Sequence, residues 1–167
     1  MHANSMTLWV VVIVGALVVI GAVCFIISSL RRAHERKAAL SSGFISLAEF
    51  EERRVASNYE FESGPGCYVI LLFDKPVDNG DFSGFDDVYV GRASNMAKAV
   101  KSCSVGKGNA DVYAAISNGK HAYVQFRGCS PEETDAVEAE LIEAFNAAES
   151  YNKSKDSDRG RRIPKTR

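Results

Sequence analysis

Gly66-Cys67-Tyr68-Val69-Ile70-Leu71-Leu72-Phe73 is an unbroken apolar run with β-branched and aromatic members, and it predicts a buried strand over 67–73. Asp74 to Asp87 contains Pro76, Asn79-Gly80 and Ser83-Gly84 and reads as a long hairpin loop. Asp87-Val88-Tyr89-Val90 returns as a second strand, which Gly91 ends. Next, Met96, Val100 and Cys103 fall at i, i+4 and i+7 and predict the core face of a helix over 94–103, with Lys98 and Lys101 off that face. Val105 to Asn109 is a loop without the spacing of a phosphate-binding P-loop. A short helix over 111–117 and the turn Asn118-Gly119 lead to a third strand over 120–127. In that strand Ala122, Val124 and Phe126 alternate with Tyr123, Gln125 and Arg127. Ser130-Pro131-Glu132-Glu133 combines an N-cap serine, a proline at the first helical position and a capping-box glutamate, and opens a helix to about Ala148.

Upstream, Ser63-Gly64-Pro65-Gly66 is the turn that opens the domain. Before it, Ser46 and Glu49 have capping-box spacing and Leu47, Phe50 and Val55 form a partial apolar face, so a short helix is expected there. Ser41-Ser42-Gly43 separates that helix from the charged, alanine-rich stretch Arg31 to Leu40. Leu8 to Leu30 carries no charged side chain. As a helix these 23 residues span ~35 Å against a ~30 Å hydrocarbon core, so one transmembrane anchor is expected. A cleaved signal peptide fits less well, because the basic n-region and an Ala-x-Ala site are missing; Val23 before Cys24 argues against a lipoprotein site. Arg31, Arg32, Arg36 and Lys37 follow the span directly. The positive-inside rule then places the N-terminus outside and the C-terminal domain in the cytoplasm.

The resulting organisation is an anchor over 1–30, a basic juxtamembrane segment and helical linker over 31–62, a domain over 63–153 and a basic, disordered tail over 154–167. With 25% charged residues in 167, the chain suits one globular domain plus accessories, and the anchor inflates the 46% hydrophobic fraction. Residues 61–152 hold seven Lys/Arg against fourteen Asp/Glu, whereas 153–167 hold seven basic against two acidic. An acidic body disfavours tight nonspecific DNA binding, which draws on phosphate neutralisation. For the tail two readings stand: a solubilising end, or contact with anionic lipid or nucleic acid. Cys24, Cys67, Cys103 and Cys129 lack Cys-x-x-Cys spacing and neighbouring histidines, so no zinc site is expected and a reducing compartment leaves them as thiols.

One residue breaks the helical stripe Thr134, Val137, Glu138, Leu141, Ile142, Phe145, Ala148: Glu138 is its only ionisable member. A carboxylate there costs free energy unless it is paired or bound to a cation, which makes it a candidate functional residue; the alternative is a glutamate snorkelling from the stripe's edge.

The two tyrosine tripeptides Gly66-Cys67-Tyr68 and Tyr89-Val90-Gly91, the continuation Arg92-Ala93-Ser94-Asn95-Met96, and the later Glu138 and Tyr151-Asn152 together resemble the signature of the GIY-YIG nuclease superfamily over residues 63–153. The resemblance implies an α/β (α+β) fold with a small antiparallel three-stranded sheet flanked by helices, behind the single transmembrane helix. It also implies metal-dependent phosphodiester hydrolysis of DNA or other nucleic acid. Glu138 would hold one Mg2+ or Mn2+ with water, Tyr68 would be the general base, Tyr89 would orient nucleophile or phosphate, and Asn152 would complete the catalytic set. A tyrosine with its ordinary value near ~10 needs nearby positive charge to act as a base at neutral pH. The family's phosphate-contacting arginine falls on Ala99 here, and Arg92, Lys98 and Lys101 are the nearby candidate phosphate contacts. Loss of that donor leaves two functional expectations open: a slow membrane-anchored endonuclease, or a catalytically impaired binding or interaction module. The two tyrosines also have a plain reading as strand aromatics.

Overall fold

The computed structural model describes residues 17–25, 27, 43–78 and 80–152. The chain divides into two compact units, Met1–Lys37 and Ala38–Arg167. In the first unit, residues 17–25 are helical and exposed. No helix among the described residues is long and apolar enough to cross a membrane. Most of the expected span over 8–30, the basic stretch after it, residues up to 42 and the basic tail lie outside the described residues.

The second unit is mixed α/β, with β1 (Ile45–Ser46), α1 (Leu47–Ala56), β2 (Gly66–Phe73), β3 (Asp87–Ala93), α2 (Met96–Ser104), α3 (Ala110–Ser117), β4 (His121–Gly128), α4 (Thr134–Phe145) and a 3-10 turn at Ala147–Glu149. The strands form one antiparallel sheet in the order β1-β4-β2-β3. From β2 onward the succession strand, strand, helix, helix, strand, helix is the one read from the sequence. The expected three strands become four, because Ile45 and Ser46 pair with Val124 and Tyr123 on the outer side of β4. A two-residue strand has no periodicity to read; its pairing is set by a partner far along the chain.

β2 is central, and all eight of its residues are buried. Tyr68, Ile70 and Leu72 pack on one face with Phe50 of α1, Met96, Val100 and Cys103 of α2, and Val112 of α3. Cys67, Val69, Leu71 and Phe73 pack on the other with Leu141 and Phe145 of α4. Burial on both faces is why this strand reads as a continuous apolar run instead of alternating.

Local signals place the helix ends. Ser46 Oγ accepts from Glu49 N at 3.1 Å. Asn95 caps α2 through Lys98 N, and Asn109 caps α3 through Asp111 N and Val112 N. Four expectations need correction. Val55 does not join the face of α1; it is exposed. β3 continues past Gly91 to Ala93, because Tyr68, Cys67 and Gly66 pair with Gly91, Arg92 and Ala93. α4 starts at Thr134, after a turn in which the Glu133 carboxylate accepts from both Ser130 N and Ser130 Oγ. It ends at Phe145, where Asn146 turns left-handed at φ 52°, which leaves Ala148 exposed instead of in the stripe.

Ser150 to Asn152 run along the open edge of β3. Val88 N donates to Ser150 Oγ at 3.0 Å, and Tyr151 N donates to Val88 O at 3.2 Å. Asn152 then works as one rung of a strand: its Oδ1 accepts from Val90 N at 2.7 Å and its Nδ2 donates to Val90 O at 2.6 Å. An edge strand with open N–H and C=O groups is a template for foreign strands, and this segment closes it. Asn152→Ala leaves both polar groups of buried Val90 without those partners, so a loss of ~1–3 kcal/mol in denaturant unfolding is expected. An unchanged unfolding midpoint would show that the rung adds nothing.

Candidate functional site

Tyr68 sits opposite Gly91 in the β2–β3 register, and Tyr89 sits opposite Ile70, so both rings emerge on the α2 face of the sheet. Their centroids are 6.1 Å apart at 62°, an edge-to-face pair. Gly91 makes this possible: a Cβ there would lie 2.5 Å from both Cζ and the hydroxyl oxygen of Tyr68. The Tyr68 hydroxyl reaches the Cys103 thiol at 3.9 Å, and the ring is 4% exposed. Tyr89 is half-buried, with Tyr68 and Asn109 among its polar neighbours. Cys103 and Asn109 thus complete a polar cluster around the two tyrosines. The sequence marks Cys103 only as a core position and Asn109 only as a loop residue.

Burial, and then the neighbouring Cys103, push the Tyr68 hydroxyl well above the ordinary tyrosine range. Tyr89 is pushed up mainly by burial, with Cys103 and the negative charge of Glu138 adding to it. A general base at neutral pH needs the reverse direction, with a cation beside the phenol. Here the phenol is sealed among apolar groups and a thiol.

Glu138 belongs to the other face. Arg92 shares a face of β3 with Val88 and Val90, so its side chain meets α4 on the side of the sheet opposite Tyr68. Its guanidinium pairs with Glu138, Nε to Oε2 at 3.3 Å, and also with Asp135 one helical turn earlier. The ionisable member of the stripe is therefore partnered by an arginine. Glu138 is a poor fit for magnesium in this arrangement, since its carboxylate already faces a cation and Asp135, its nearest acidic companion, shares the same cation. Among the described residues no group of three or more His, Cys, Asp or Glu side chains is placed to hold a metal ion.

The candidate phosphate contacts are dispersed. Arg92 is engaged by α4. Lys101 Nζ lies 3.2 Å from Glu51 Oε1 and ties α2 to α1. Arg54, with Lys101 behind it, holds the Glu51 carboxyl down at about 2. Lys98 stands exposed on α2. Ala99 is half-buried against the first core cluster. Asn152 spends its amide on the edge of β3. The structure thus brings Tyr68 and Tyr89 together and leaves Glu138, Lys98, Lys101 and Asn152 in separate local roles. No family model, curated protein or solved structure matches the chain.

Proposed function

We propose that residues 63–153 form a GIY-YIG-like module without hydrolytic activity, a binding or interaction domain that the N-terminal apolar segment holds at a membrane with its C-terminal domain in the cytoplasm. The observation that carries this reading is the state of Tyr68: the tyrosine that would have to take a proton from water is buried, lies on a thiol and binds its own proton more firmly than a free tyrosine does. Ala99 in place of the arginine, and the ion pair between Glu138 and Arg92, support the same conclusion.

One observation favours the nuclease reading, with Mg2+ or Mn2+ on Glu138: the two tyrosines do share one face in an edge-to-face pair. Cleavage of plasmid and single-stranded DNA by the full chain in detergent, with either metal, separates the two. The expected result is no cleavage above buffer, and none after Ala99→Arg, because restoring a phosphate contact does not free Tyr68. Metal-dependent cleavage that Tyr68→Phe and Glu138→Gln each abolish would return the domain to the nucleases.

A further inference from the structure

Cys67 and Cys129 meet at the end of the sheet next to α4. Gly66 pairs directly with Gly128, and Cys129 N donates to Pro65 O at 3.3 Å, so the two cysteines lie diagonally across the β2–β4 pair on one face. Both pack in the core cluster under α4, Cys67 fully buried and Cys129 half-buried. The Cys67 thiol donates to Thr134 O at 3.4 Å, in the first turn of α4. Beside them opens a cavity of about 300 Å³ lined by Pro65, Arg92, Ala93, Ser94, Pro131 and Thr134. Two of these lining residues, Pro65 and Thr134, are the hydrogen-bond partners of the two cysteines.

The geometry points to a reversible modification site, in which a low-molecular-weight disulfide of the glutathione class oxidises Cys129 and Cys67 to an intramolecular disulfide. Cys129, the more accessible thiol, attacks first as its thiolate. The S–S bond of the small disulfide breaks, one of its halves leaves as a thiolate and takes up a proton, and Cys129 carries the other half. Cys67 then gives up its S–H proton and attacks the Cys129 sulfur, and the second half leaves as a thiolate and takes up a proton. Two cysteine thiols lose two electrons and two protons, and the small disulfide becomes two thiols.

Burial, then the Cys129 charge and hydrogen bond, push the Cys67 thiol up to about 12. The two sulfurs are close enough to perturb one another, and the second step is the slow one at neutral pH. Oxidation also removes the S–H that Cys67 gives to Thr134 O, so the first turn of α4 and the cavity wall respond to redox state.

The test is full-length Cys24→Ser protein, a background that excludes intermolecular bridges through Cys24, held in oxidised glutathione to equilibrium and digested without reduction. A linked peptide pair containing Cys67 and Cys129, released by dithiothreitol and absent from Cys129→Ser, is the expected result. Retention of a glutathione adduct on Cys129 with Cys67 free, or recovery of both as thiols, would overturn the proposal.

Discussion

Gly91→Ala is expected to lower the melting temperature of the domain by about 10 °C, a cost of ~2–3 kcal/mol. A methyl group there would lie 2.5 Å from the Tyr68 ring, and that ring has nowhere to go, being closed in by Cys103, Met96 and Tyr89. Overpacking is relieved only where a neighbour can give, and this neighbour is the far end of a rigid ring inside a close-packed core. Gly91→Val should be worse and fail to accumulate as folded protein. A double-mutant cycle isolates the cause: Tyr68→Leu alone should destabilise by opening a cavity, yet in the Gly91→Ala background it should recover part of the loss. A Gly91→Ala protein that melts with the parent would remove the explanation. The glycine of the Tyr89-Val90-Gly91 tripeptide therefore has a sufficient packing reason, whatever chemistry the tripeptide resembles.

The second large effect is expected from alkali. Cys67, Tyr68 and Tyr89 all hold their protons more tightly in the folded chain, through burial first. In the unfolded chain a thiol titrates near ~8.5 and a phenol near ~10. Below those values both states keep the protons, and these groups leave stability untouched. As pH rises through them, the unfolded chain releases protons that the folded chain retains, so stability is lost progressively. For Cys67 the loss runs up to about 12, and it is on the order of 5 kcal/mol once complete. Urea unfolding followed between neutral pH and ~11 should show the decline, beginning near the free thiol value of ~8.5. Cys67→Val should delete its early part and Tyr68→Phe its later part. Constant stability of the parent across that range would contradict the buried, protonated state assigned to both groups.

Much of the architecture was legible because the physics that writes it is local. The apolar run of β2, the hairpin loop after it and the cap at Ser46 all depend on near neighbours. β1 was not legible, since two residues define it only through Val124 and Tyr123. Glu138 shows the limit at the site. Its place in an apolar stripe signals a charge in need of a partner, but which partner it meets depends on which strand lies beneath the helix. Here Arg92 of β3 faces it. Tyr68 is the converse case: a phenol in a strand reads the same whether its hydroxyl meets solvent or a buried thiol, and only the packing of α2 decides.

The cover on the edge of β3 also has a consequence in time. Val88 and the serine that receives its N–H are 62 residues apart in sequence. At ~5–20 residues per second a nascent chain carries β3 for about 3–12 s before its cover is synthesised. During that interval neighbouring chains on one messenger hold identical bare edges close together, the arrangement in which strands pair between molecules. A chain ending before Ser150 would keep that edge bare for its whole lifetime. Quality control of this domain therefore turns on its last three described residues, since a product with a complete core and no edge cover is the one most prone to capture by its own kind.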